Sequence, residues 1–217
     1  MKQMLKKILP NIAIRWGRRM LAEAYFIRSR FRVSRLLARD TCIRLEIGSG
    51  DRKGSKGWVT LDIIPTCDIC WDLARGLPFP DKSVETIYSS HVLEHFTHAE
   101  GKRLLDECMR VLIQSGEFLV AVPDASLYIN AYARRDDKAI AALMGRKPAA
   151  RLECVNWMAY MDGHHKTMFD EEMLITTLRE RGFTEVRSRA FNAELDLASR
   201  RHETIYAGAR KPRGTDN

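Results

Sequence analysis

Hydrophobic positions change their period along this 217-residue chain. In the first stretch Leu5, Ile8, Leu9, Ile12, Trp16 and Met20 recur at helical spacing, with Lys6, Lys7, Arg15, Arg18 and Arg19 on the other faces. This predicts a basic amphipathic helix within an arm of residues 1–40, started or kinked by Pro10. From residue 41 short β-rich runs take over, and strands are predicted at 43–47, 58–62, 68–71, 85–89, 118–122, 185–189 and 204–209. Helical periods fall between the later runs. One helix is predicted from about Ala99 to Ile113, burying Leu104, Leu105, Cys108, Met109 and Leu112. Another follows the N-cap Asp170, with Phe169 stapling onto Leu174, and stops at Gly182. Strands alternating with helices build a parallel sheet covered by helices, so residues 41–217 read as one α/β domain. Residues 124–166 are polar, contain Met and Arg, and carry no strand signal; an insertion after the fifth strand is placed to cover a substrate.

Charge sharpens this division. The chain carries +8 overall, but residues 1–39 hold eleven Lys or Arg against Glu23 alone, or +10, which leaves −2 for the rest. The arm therefore fits an anionic membrane surface, while packing on the body or on a second copy, in a homo-oligomer, is the plainer alternative. No window is apolar enough to span a bilayer. Five cysteines, an odd number, argue for free thiols and a reducing, cytoplasmic location, with a peripheral place on the inner membrane face if the arm binds lipid. Cys67 and Cys70 form a C-x-x-C, but no second pair completes a zinc site, so they read as buried thiols and no metal is expected.

Candidate chemistry starts at the glycine turn Glu46-Ile47-Gly48-Ser49-Gly50, an acid followed by a turn that lets a ligand approach the backbone. The turn alone also suits a purely structural role. The second strand ends in Asp62, followed by Ile63, where a carboxylate can accept hydrogen bonds from ribose hydroxyls. Asp72-Leu73 and the run from Leu77 to Asp81 then offer a carboxylate for an exocyclic amine and apolar side chains for an aromatic ring, as an adenine pocket needs. A dinucleotide is disfavoured, because Lys53 stands where the third glycine would be and Asp62 follows Gly50 by only twelve positions.

The runs 45–50, 56–62, 72–81 and above all Ser89-Ser90-His91-Val92-Leu93-Glu94-His95-Phe96 resemble the class I methyltransferases of the type-11 group. The resemblance continues through residues 110–112, Gly116, 122–124, His165-Lys166 and Gly182-Phe183. It implies a Rossmann-like seven-stranded, mostly parallel sheet of order 3-2-1-4-5-7-6 with strand 7 antiparallel, and S-adenosylmethionine as cofactor. By position, Gly48 and Gly50 would meet the methionine moiety, Asp62 the ribose, and Asp72 with Leu73 the adenine. Ser89 to His91 would flank the sulfonium. Arg52 and the turn Gln114-Ser115-Gly116 depart from the family's usual residues.

Methyl transfer is an in-line displacement on an already activated sulfonium, so the protein mainly aligns the reactants. For a hydroxyl acceptor a neutral imidazole suits proton removal, and His91, His95 and His165 are the candidate catalytic residues, with Asp124, His164 and His165 as acceptor contacts. His95, His98 and the pair His164-His165 also have plain structural readings, and Glu94 suits either a substrate or a helix start. The acceptor read from these features is an oxygen or nitrogen nucleophile on a small molecule, glycan or lipid-linked compound. The competing readings are an RNA-modifying enzyme, against which the −2 body and the lack of an aromatic RNA motif argue, and a non-catalytic S-adenosylmethionine-binding scaffold.

Overall fold

Aliphatic and β-branched residues line up in the central strands so that whole stretches vanish from solvent. Leu45 and Ile47 in β1 (Arg44–Ile47) are fully buried, with Val59 and Leu61 of β2 (Trp58–Asp62) on one side and Ile87 and Ser89 of β4 (Val84–Ser90) on the other. The computed structural model describes residues 23–39, 42–51, 54 and 57–214. With β3 (Ile69–Cys70), β5 (Leu112–Pro123), β6 (Thr184–Ser188) and β7 (Thr204–Arg210), these strands form one seven-stranded sheet of order β3-β2-β1-β4-β5-β7-β6. β1 to β5 pair in parallel, and β7 runs antiparallel to both neighbours. This is the Rossmann-like order expected above.

The helices are a helix described over residues 23–37 (α1), α2 (His98–Val111), α3 (Ala125–Ala133), α4 (Asp137–Met144), α5 (Leu152–Tyr160) and α6 (Glu171–Glu180). Thr97 and Glu100 close a capping box on α2. Asp170 caps α6 through the Met173 N–H, and the chain leaves past Gly182 at φ 84°, as that pattern requires. The amphipathic stretch from Leu5 to Met20, and Arg52, Lys53 and Lys56 after the glycine turn, lie outside the described residues. What is described of the arm rests on the body. Phe26, Ser29 and Val33 share one buried helical face, Phe26 meets the Trp71 ring edge-on at 5.4 Å, and Ser29 Oγ donates to the Cys70 carbonyl. Arg32 donates to the Asp68 carbonyl, and Arg75 pairs with Glu23.

Three expectations need correction. The helix predicted to Ile113 ends at Val111, and β5 begins at Leu112 rather than Phe118. The apparent turn Gln114-Ser115-Gly116 is a bulge within that strand: Ser115 takes φ 59°, the register with β4 shifts there, and a side chain at Gly116 would press on the Glu85 and Ile113 carbonyls. β3 shrinks to two residues because Asp68 bends inward, accepting bonds from the Gly54 and Thr60 N–H groups and the Thr60 hydroxyl. The stretch 124–166, expected without a strand, folds into three α-helices. α3, α4 and α5 gather Ala125, Tyr128, Ala131, Ile140, Cys154 and Met158 into a small core of their own, apart from the main one beneath the sheet.

One buried polar network ties the far half of the sheet. Asp196 accepts from the Tyr88 hydroxyl at 3.0 Å, from Arg189 at 2.6 and 2.7 Å, and from the Asn192 N–H at 2.7 Å. Burial alone would raise the Asp196 carboxyl, but these donors, Arg189 first, outweigh it and hold it below the usual carboxylate range. Asp196→Ala leaves a largely buried guanidinium unpaired and is expected to cost about 3–5 kcal/mol of stability in urea unfolding. A loss under 1 kcal/mol would show that the network is not structural.

Candidate functional site

The carboxyl ends of β1, β2 and β4 come together at one edge of the sheet, where α/β folds place ligands. After β1 the chain turns through Gly48 and Gly50, at φ 67° and 68°. A β-carbon at Gly48 would collide with the Val92 side chain, so glycine there keeps the turn close against the segment after β4. Asp62, at the end of β2, reaches across: one carboxylate oxygen accepts from the Gly50 N–H at 2.9 Å and the other from the Ile64 N–H at 3.2 Å. Each oxygen keeps a further lone pair for a ligand.

These residues line a cavity of about 360 Å³, within the size range of ligand sites, together with Ile63, Trp71, Asp72, Leu73, His91, Val92, His95 and Phe96. Of the expected cofactor residues it thus brings together Gly48, Gly50, Asp62, Ile63, Asp72, Leu73 and His91. Trp71, Val92 and Phe96 were missed, although an aromatic or aliphatic residue beside each predicted polar group was the signal. The others lie elsewhere. Glu46 and Ser49 are buried beside the turn, and Ser89 is fully buried in β4, its hydroxyl without a hydrogen-bond partner among the described residues. Leu77 and Phe79 point into the core, and their loop is clamped from α2 by Arg110 and Glu107, so the apolar wall comes from Ile63, Trp71, Leu73 and Phe96 instead. A larger cavity of about 850 Å³ lies in the α3–α5 insertion, lined by Arg135, Lys147 and Arg151 among others, and shares no residue with the glycine turn. The smaller one holds the candidate chemistry.

His91 sits just past β4 at φ 55°, a strained backbone for a residue with a side chain, fixed by its N–H donating to the Ala121 carbonyl. Among the non-glycine residues described with positive φ it is the one that lines the cavity. Thr204 Oγ1 donates to the Arg200 carbonyl, so it accepts from His91 Nε2–H at 3.0 Å, and the Nδ1 lone pair is left facing Glu94 at 3.5 Å. Burial, with Arg200, His165 and His95 nearby, pushes the imidazole down to about 3, so His91 is neutral near pH 7. A neutral imidazole with so low an affinity for a proton is a weak base.

The chain then enters a 3-10 turn (Leu93–His95), and the Glu94 carbonyl accepts from the Lys166 and Thr167 N–H groups. That pairing brings His165 against His95, ring centroids 5.3 Å apart. His95 Nδ1 donates to the His164 carbonyl at 2.9 Å and His165 Nδ1 to the Met158 carbonyl at 2.8 Å. Burial also lowers His165. His164 is exposed, and its described contact in this cluster is through its carbonyl, while Asp124 caps α3 through Ser126 and is outside the cavity lining. Cys67 and Cys70 are buried thiols, raised by that burial, as expected.

Residues 45–120 match the family model described as a methyltransferase domain. No curated protein matches the chain. Among solved structures, the Haemonchus contortus phosphoethanolamine N-methyltransferase 2 in complex with S-adenosyl-L-methionine aligns over 85% of this chain and 52% of its own, at 10% identity and a TM-score of 0.50, a likeness of fold alone. A chain of the complex between the Haloferax volcanii Trm112 methyltransferase activator and a methyltransferase aligns at 16% identity, 90% and 97% coverage and a TM-score of 0.49. An Archaeoglobus fulgidus SAM-dependent methyltransferase aligns at 18% identity, 84% and 92% coverage and the same score of 0.49.

Proposed function

Because residues 45–120 match a methyltransferase-domain model, we propose that this chain is a class I methyltransferase of the type-11 group that uses S-adenosylmethionine and methylates an oxygen or nitrogen nucleophile on a small-molecule, glycan or lipid-linked acceptor. The observation that carries this reading is the cavity that joins the glycine turn, Asp62 and His91 at one end of the sheet. Its residues fit the cofactor. Gly48 and Gly50 would hold the methionine end, Asp62 the ribose, and Asp72 with Ile63 and Leu73 the adenine. When bound, the cofactor supplies an electrophilic methyl on sulfur.

The remaining work belongs to side chains of this protein. His91, neutral and held by Thr204, would position the acceptor beside the methyl-donor end, and His95 or His165 would contact it. Trp71, Leu73 and Phe96 would exclude water from the adenine side. The insertion 124–166 would cover the acceptor. It exposes Ile129, Tyr132, Leu152, Trp157 and Tyr160 near several arginines, which supports a lipid-linked acceptor met at a membrane surface and, with it, a role in glycan assembly. Among the described residues no helix is long and apolar enough to cross a membrane.

The test is incubation of the protein and methyl-labelled S-adenosylmethionine with separate glycan, lipid, metabolite and RNA pools. Label is expected in a glycan, lipid or metabolite species. Label confined to RNA would replace the acceptor proposed, and a blank result in every pool would leave a cofactor-binding scaffold.

A further inference from the structure

Next to the cofactor cavity lies a cluster whose hydrogen bonding does not close. Glu94 is only 2% exposed, and among the described residues neither carboxylate oxygen accepts a hydrogen bond from another residue. Buried carboxylates are nearly always paired, so this one calls for a partner. The nearby Arg200 charge acts on it without a hydrogen bond, and the three histidines do not donate to it. His91 spends its N–H on Thr204, His95 on the His164 carbonyl and His165 on the Met158 carbonyl. A carbonyl only accepts, so His95 and His165 each carry hydrogen on Nδ1 and present the bare Nε2. The result is lone pairs around a lone carboxylate: His91 Nδ1 stands 3.5 Å and His95 Nε2 3.9 Å from Glu94 Oε1.

Metal-bound imidazoles have this same arrangement, one ring nitrogen tied to a backbone carbonyl so that the other keeps its lone pair on the ion. One ligand atom each from Glu94, His95 and His165 lies within 4.8 Å of the others. Around a tetrahedral zinc, ligands roughly 2 Å from the ion are about 3.3 Å apart, so the set must contract. His95, whose side chain is 43% exposed, is the member free to turn inward.

We propose that Glu94, His95 and His165 bind one divalent first-row transition cation of the zinc class beside the cofactor cavity. Two imidazoles and a carboxylate suit zinc, iron or manganese better than magnesium or calcium, which prefer oxygen alone. Three protein ligands leave a coordination position open. His95 borders the cavity, so that position serves the acceptor end, and an acceptor oxygen bound there would be both fixed and acidified. Only this last use rests on the methyl-transfer reading; the site itself does not. Cys67 and Cys70, the other candidate ligands, satisfy their thiols on backbone carbonyls near Asp62.

The test is calorimetric titration of chelator-stripped protein with Zn²⁺, with Co²⁺ absorption as a spectroscopic report of ligand geometry. The wild type is expected to take up one Zn²⁺ per chain. Glu94→Gln and His95→Ala should each weaken it about 100-fold or more, while the pair C67S/C70S leaves it unchanged. S-adenosylmethionine affinity, measured on the same samples, reports separately on the fold and on the methyltransferase reading. Wild-type protein that binds cofactor but takes up Zn²⁺ no more tightly than Glu94→Gln overturns the proposal, as does uptake lost only in the cysteine variant.

Discussion

An Asp62→Ala variant is expected to bind S-adenosylmethionine about 100-fold more weakly than the wild type. Two losses add up to this. The carboxylate ties the Gly50 N–H at 2.9 Å and the Ile64 N–H at 3.2 Å, so it fixes the glycine turn before any ligand arrives. It would also accept from the ribose hydroxyls, and hydrogen bonds to a charged group are each worth about 1.5–3 kcal/mol. Asp62→Asn keeps one acceptor oxygen and should fall between the two. Calorimetry with S-adenosylhomocysteine measures the effect without an acceptor. Equal affinity in wild type and Asp62→Ala would move the ribose out of this cavity.

The second large effect is expected at His91. Replacing it with alanine should lower kcat about 100-fold, the scale on which misplacing a reactant slows an enzyme, while cofactor affinity changes only a few-fold. The split matters because His91 is argued to position an acceptor and not to store a proton: burial pushes its imidazole down to about 3. A Thr204→Val variant, which removes the hydroxyl that orients the ring, should reproduce part of the loss. Full methyl transfer by His91→Ala with undiminished cofactor affinity would end the assignment.

How much of this was legible in the sequence depends on what the signal measures. Periodicity and turn chemistry report local structure, so β2 and the Asp170 cap were read to the residue. β5 was misread because Leu112 and Ile113 continue the helical period of α2, and only pairing with β4 makes them strand. Residue type and order likewise located the glycine turn, Asp62 and His91, since their chemistry and place after a strand coincide. They could not say which way a side chain faces. Ser89 is one residue from the cavity-side end of β4, yet it is buried between Ile47 and Val120 on the neighbouring strands. Asp124 looked equally well placed, but a carboxylate ahead of a helix satisfies the first free N–H groups, and that local bond won. Glu94 shows the remaining limit. Its spacing to His91 and His95 was visible, but its isolation follows from Thr204, Met158 and His164, residues distant in sequence that each consume an imidazole N–H.

The central claim is that the cofactor occupies the cavity shared by the glycine turn, Asp62 and His91, with its reactive end toward the histidine cluster. A crystal structure with S-adenosylhomocysteine tests it most directly. The predicted result is ligand density running from Gly48 and Gly50 past Asp62 to Asp72, with the sulfur on the His91 side. Density in the larger cavity beside Arg135, Lys147 and Arg151, or a sulfur turned away from His91, would contradict it.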